Sequence, residues 1–245
     1  MLEAAIGGTV VLAAAGLVSH GAVNARSQLF GRTFIGLGAG SRQLALTFDD
    51  GPNDPHTLRL LEVLAKHEVR ATFFMIGRFV SQRPEIARAV AQAGHVVGNH
   101  TYNHPNLFFA SPARFEEELD DCEKALADAV GEHSKLFRPP FGLRRPQTLR
   151  AAAGRGLTTV MWGVSSRDWK LKTAEAIEQR TAAHIRGGDV ILLHDGGHWQ
   201  MGVDRAATVA ATERLLVRYK GDGYSFVTVS EMMAHHADTE TRSRV

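Results

Sequence analysis

The chain has 245 residues, 44% hydrophobic and 22% charged. That length and balance suit one large folded α/β domain and exclude a disulfide-stapled miniprotein, a disordered chain and a multi-span membrane protein. Lys and Arg number 28 against 26 Asp and Glu, a net charge of +2, and no basic stripe is concentrated enough to neutralise a phosphate backbone, so no nucleic-acid partner is expected.

The first feature in chain order is an uncharged stretch from Ala4 to Ala25, near the ~20 residues that cross a bilayer as a helix. Glu3 is the only charge before it, so the basic start of a secretory signal is missing. The stretch reads as a membrane anchor or uncleaved signal, with a packed helix as the alternative. From Ser41 the pattern turns regular: short apolar β-type runs alternate with amphipathic stretches, the mark of βα units and a parallel sheet. Seven runs stand out: Gln43 to Phe48, Ala71 to Ile76, His95 to Gly98, Lys135 to Phe137, Leu157 to Trp162, Val190 to Leu193 and Tyr224 to Val229. Between them, Ser111-Pro112 marks a helix start, and Gly94 closes a helix that begins near Pro84. Residues 1–40 are therefore assigned to an N-terminal apolar segment and linker, 41–234 to one domain and 235–245 to a polar tail. The single Cys122 shares a helical face with Phe115, Leu119 and Leu126 and reads as a core residue.

Polar clusters follow five of these runs: Asp49-Asp50, His100 with His104, Arg138, Asp168 and His194. The loops after parallel strands share one end of the sheet, so these groups converge in space. Adjacent carboxylates at a strand end raise each other's proton affinity unless a cation or partner separates them, which suggests one ligand and one base. Two histidines four residues apart fit one face of a helical turn and, with Asp50, leave open positions on a catalytic divalent ion. Arg138 can fork onto a carboxylate, and the backbone N–H groups at Phe141 and Gly142 can face an oxyanion. His198 and Trp199, beyond His194, suit a cleft wall.

In this order, T-F-D-D-G-P, H-T-x-x-H-P, R-P-P-F-G, R-D-W and L-L-H-D resemble the polysaccharide deacetylase family, the NodB-homology group of carbohydrate esterase family 4. The resemblance runs from about Leu44 to Val229. It implies a distorted (β/α) barrel of seven or eight parallel strands, and removal of N-acetyl groups from N-acetylglucosamine polymers such as peptidoglycan or chitin-type oligosaccharides. It makes Asp50, His100 and His104 ligands of a divalent metal, zinc first, with Co2+ or Ni2+ also fitting. By the same resemblance Asp49 is the general base and His194 the acid, Arg138 orients Asp49 and Asp168 orients His194. The Phe141 N–H faces the oxyanion, and Trp169 and Leu192 line the acetyl pocket. A substrate of this kind places the domain in the cell envelope, anchored or secreted. Two positions depart from the family: Ser165 stands where an Asp is common, leaving that loop's support open, and Phe141 replaces a frequent Tyr. A hydrolase of small amides or cyclic imides, a sugar-binding protein without catalysis and a magnesium phosphatase are the other readings. Asp49 and His194 weigh against the second, because metal binding needs neither, and the two-histidine chelate weighs against the third.

Overall fold

The computed structural model describes residues 16–242. Eight strands alternate with helices: β1 (Gln43–Gly51), β2 (Thr72–Met75), β3 (Val96–Asn99), β4 (Leu136–Phe137), β5 (Thr158–Thr159), β6 (Val164–Ser165), β7 (Val190–His194) and β8 (Ser225–Phe226). They form one sheet in the order β5-β4-β3-β2-β1-β7-β6, with β8 also on β1, and every strand pairing is parallel. This is the curled α/β half-barrel that the resemblance implies. The seven runs each overlap a strand; β6 is an eighth that the sequence reading missed, because two residues are too short to show a period.

β1 explains how the sheet curls around a polar interior. Successive side chains face opposite ways. Leu44, Leu46 and Phe48 pack with Phe73, Met75, Ile191 and the helices outside, while Ala45 joins Phe74, Leu136, Val160 and Val190 on the other face. That second face continues through Thr47 to Asp49, so the strand carries polar groups inward without losing its apolar outer packing. Helix α5 (Pro112–Val130) begins as expected, with Ser111 accepting from the Arg114 N–H and Pro112 in the first turn. Its buried face carries Phe115, Leu119, Cys122 and Leu126. Burial pushes the Cys122 thiol up, which leaves it an unreactive core residue. Gly94, at φ 81°, follows α4 (Pro84–Gln92) as its stop.

Both chain ends depart from the expected boundaries. The apolar stretch from Ala4 lies mostly outside the described residues; its described part is helical at residues 16–23, and no helix among the described residues is long and apolar enough to cross a membrane. Residues 24–40 are not a free linker. Phe34 forms a parallel bridge to Val160 beyond β5, and Gly36 an antiparallel bridge to Asp189 before β7. At the other end the polar residues continue α9 (Val229–Arg242) instead of leaving it as a tail.

Candidate active site

Adjacent residues of a regular strand point to opposite faces, so Asp49 and Asp50 should diverge. The register between β1 and β2 breaks between Asp49 and Gly51, and Asp50 takes φ 73°. This bulge brings both carboxylates into one cleft. Asp49 Oδ1 accepts from Arg138 Nη1 at 2.7 Å. The same nitrogen donates to Thr47 Oγ1 at 2.7 Å, and Nε and Nη2 reach the Val160 and Met161 carbonyls. Arg138 is fully buried, its guanidinium 4.2 Å above the Phe74 ring. A buried cation so enclosed fixes its anion in place.

The two histidines reach Asp50 differently from the expectation. His100 follows β3, but residues 100–104 form no helical turn; Thr101 and His104 take positive φ, 66° and 58°, and fold the loop so that the two rings meet with centroids 4.9 Å apart. The Asn99 side chain accepts from the Thr101 N–H, and Thr101 Oγ1 from the His104 N–H. This short-range bonding stabilises a backbone that helical geometry cannot supply. His100 Nδ1 lies 2.7 Å from the Arg138 carbonyl, which makes it the donor and leaves Nε2 with its lone pair.

His100 Nε2 and His104 Nε2 lie 3.5 and 3.3 Å from Asp50 Oδ1, and the three candidate ligand atoms all fall within 4.8 Å of one another. All three residues are buried, yet Asp50 Oδ1 and His104 Nδ1 have no hydrogen-bond partner. A buried carboxylate oxygen without a donor is unfavourable, and a divalent cation satisfies it. Burial works to raise the Asp50 carboxyl, but the surrounding imidazoles, His100 first, hold it below the usual carboxylate range. Burial lowers His104 to about 3. An ionised carboxylate and a neutral imidazole are the forms that bind a metal, so the residues present fit a divalent ion.

On the strand beside β1, His194 ends β7, paired in register with Asp49. Its Nδ1 lies 2.8 Å from Asp168 Oδ1, and its backbone N–H donates to Asp168 Oδ2 at 2.7 Å. Burial disfavours the imidazolium, but Asp168, and then Asp50 and Asp49, raise His194 to about 9. Ser166 Oγ and Thr208 Oγ1 each donate to Asp168 at 3.0 Å. The sequence reading missed both. Ser166 is a neighbour of the Ser165 that departs from the family, and its hydroxyl supports Asp168 where the outer aspartate is lacking. Thr208 lies on α8 (Ala206–Gly221), far along the chain, and no local signal marks it. Thr47 was visible only as part of a motif.

Phe141, Trp169 and Leu192 line the same cleft of about 570 Å³ as the carboxylates and histidines, with His198 and Trp199 on its wall. Phe141 takes φ 57° in a 3-10 turn (Pro140–Gly142), and its N–H finds no backbone acceptor among the described residues. The Phe141 ring is half exposed and edges His104 and His198. His198 stacks on His104 with centroids 4.7 Å apart. All ten residues singled out from the sequence thus meet at one end of the sheet or directly behind it.

Comparison with known proteins bears on the same region. The polysaccharide deacetylase family profile matches residues 38–160. A peptidoglycan-N-acetylglucosamine deacetylase of Bacillus cereus is 38% identical over 194 residues, 78% of this chain and 88% of the relative. A chitooligosaccharide deacetylase of Sinorhizobium fredii is 40% identical over 166 residues, 67% of this chain and 77% of the relative. The crystal structure of a peptidoglycan N-acetylglucosamine deacetylase bound to 4-naphthalen-1-yl-N-oxidanyl-benzamide superposes with a TM-score of 0.75 at 35% identity, covering 82% of this chain and 91% of that one. A carbohydrate esterase family 4 pseudoenzyme of Bacillus anthracis is also similar, with TM-score 0.73 and 28% identity over 80% of this chain and 66% of that one.

Proposed function

The chain belongs to the polysaccharide deacetylase family, carbohydrate esterase family 4, and we propose that it is a metal-dependent hydrolase removing N-acetyl groups from N-acetylglucosamine-containing polysaccharide, peptidoglycan or a chitin-type oligosaccharide. The observation that carries this reading is that an arginine-held carboxylate and an aspartate-held histidine line one cleft with the Asp50, His100 and His104 cluster. A divalent ion held there, zinc by the nitrogen-rich donor set, would polarise the acetamide carbonyl and lower the proton affinity of a water beside it.

Asp49, held by Arg138, takes the proton of the attacking water, whose oxygen bonds to the acetyl carbon. The Phe141 N–H faces the oxygen on which charge develops. As the carbon–nitrogen bond breaks, protonated His194 gives its proton to the departing sugar nitrogen, and acetate and a free amine are the products. At neutral pH a histidine raised to about 9 is charged and ready to act as this acid.

Peptidoglycan, for which two of the similar proteins are named, is a cell-wall polymer, and Leu17, Val18 and Val23 in the first described helix are exposed apolar residues. Both observations support a domain in the cell envelope attached through its N-terminal segment. The decisive experiment measures acetate and amine release from N-acetylglucosamine oligomers and from peptidoglycan, with metal-stripped and zinc-loaded protein. Zinc-dependent release is expected. A zinc-loaded protein that binds these glycans and releases nothing is a pseudoenzyme, and release confined to small amides or cyclic imides moves the substrate class to those compounds.

A further inference from the structure

Arg144 is almost fully buried, 1% exposed, and no carboxylate pairs with it among the described residues. Its guanidinium faces carbonyl oxygens: Nη1 donates to Gly142 at 3.1 Å, and Nη2 to Asn24 and Ser27 at 2.7 and 2.8 Å. Its backbone N–H reaches the Ala22 carbonyl at 3.3 Å. A buried, unpaired cation is unfavourable unless each donor finds an acceptor. Here the acceptors come from two parts of the chain: the residues leading out of the first helix, and the turn that carries Phe141.

The same N-terminal segment grips the domain at other points. Arg26 donates to the Gly163 carbonyl at 2.6 Å. The Phe34 N–H bonds to the Thr159 carbonyl at 2.9 Å, and the Met161 N–H to the Phe34 carbonyl at 2.7 Å. That brings the segment against residues 159–161, whose Val160 and Met161 carbonyls receive the Arg138 guanidinium. Gly36, at φ 131°, passes so close to the Gly188 carbonyl that a methyl group would collide with it. Residues 22–37 therefore touch the supports of both the base and the oxyanion donor, and they lie before residue 38, where the family match begins.

We propose that residues 22–37 form a strap that positions the catalytic groups, with Arg144 as the positioning residue that ties it to the Phe141 turn. The proposal rests on the deacetylase reading for its effect on turnover, and on the contacts alone for its effect on the turn. The strap holds the carbonyl face of Gly142, and the 159–161 edge holds Arg138 against Asp49. It touches none of Asp50, His100 or His104, so zinc affinity should change far less than kcat. The strap's function is geometric, and displacement of a donor by about 1 Å can lower a rate roughly 100-fold.

The test uses the zinc-loaded full chain as wild type, Arg144→Met, Arg144→Lys and Gly36→Ala. Three quantities are read: kcat and KM on N-acetylglucosamine oligomers, zinc affinity by chelator competition, and amide hydrogen exchange. For Arg144→Met and Gly36→Ala, kcat should fall roughly 10- to 100-fold, with KM and zinc affinity within about twofold of wild type. The Gly142 and Leu143 amides, which bond to Pro139 and Pro140, should exchange faster while β1 and β7 stay protected. Arg144→Lys should fall between wild type and Arg144→Met; if Arg144→Met does not fold, Arg144→Lys and Gly36→Ala carry the test. Folded variants with unchanged kcat, or with unchanged exchange at Gly142 and Leu143, overturn the strap. So does loss of zinc affinity and of protection in β1 in parallel with kcat, which makes the role merely structural. A wild type without deacetylase activity sinks the deacetylase reading instead, and the exchange comparison still decides whether the strap holds the turn.

Discussion

The two walls of the cleft are finished to different degrees. On the acid side both carboxylate oxygens of Asp168 are engaged, by His194, Ser166 and Thr208. Its geometry comes from the end of β7 and a packed helix. On the metal side Asp50 Oδ1 is buried without a partner, and the loop that carries His104 holds two non-glycine residues at positive φ. The first wall is complete as folded. The second is a set of ligand atoms held in an unfavourable arrangement that a cation relieves, and preorganisation therefore has two sources: hydrogen bonds within the protein and binding energy from outside it.

The largest expected effect tests the unfinished wall. Asp50→Ala should reduce turnover more than 1,000-fold, about the span that separates a site with its electrostatic stabiliser from one without it. Zinc at about 100 times its Kd should stabilise wild type by ~2.7 kcal/mol, roughly 5–10 °C in Tm for a chain of this length, and should leave Asp50→Ala unshifted. An equal zinc-induced rise in both proteins would place the ion elsewhere.

Next in size are the two proton-transfer groups. Asp49→Asn should lose on the order of 10² to 10⁴ in kcat while keeping zinc affinity, because the amide retains the shape and loses the basicity. Impaired zinc affinity in that variant would assign Asp49 to the metal and break the division between base and ligand. His194→Ala should lose activity over a similar range, and near-normal turnover would move the acid role to another group or to water.

The finished wall has a pH signature. His194 must be protonated to act, so activity should fall on the alkaline side as pH rises through about 9. Asp168→Asn removes the anion that raises it, and the alkaline limb should move toward the ordinary histidine range near ~6.5. A limb unchanged in Asp168→Asn would show that the limb belongs to a different group. The smallest effect belongs to Thr208→Val. Losing one donor to Asp168, a bond worth about 1 kcal/mol, should lower kcat only several-fold, and a 100-fold loss would mean that Thr208 touches the reaction itself.

Much of this site was legible because its chemistry lies in short motifs at strand ends. Asp49 and Asp50, His100 and His104, Arg138, Asp168 and His194 each follow an apolar run, and a parallel sheet brings such positions to one end. What the motifs did not carry was how adjacent or near-adjacent residues turn toward one another. The bulge at Asp50 and the non-helical path from His100 to His104 depend on positive φ at residues that are not glycine, and nothing local announces them. Ser166 and Thr208 escaped notice because a hydroxyl becomes a support only when folding brings it within hydrogen-bond reach of Asp168.

The amino-acid sequence by itself determined the βα alternation, seven of the eight strands and the identity of most groups that meet in the cleft, since periodicity and residue chemistry are properties of short segments. Only the tertiary structure decided the limits of the domain. Residues 22–37 read as the end of an apolar segment followed by a linker, yet the Asn24 and Ser27 carbonyls complete the coordination of the buried Arg144 guanidinium more than 100 positions away. A backbone carbonyl is the same in every residue, so a contact made through it leaves no trace in composition or spacing and exists only once the two segments have packed.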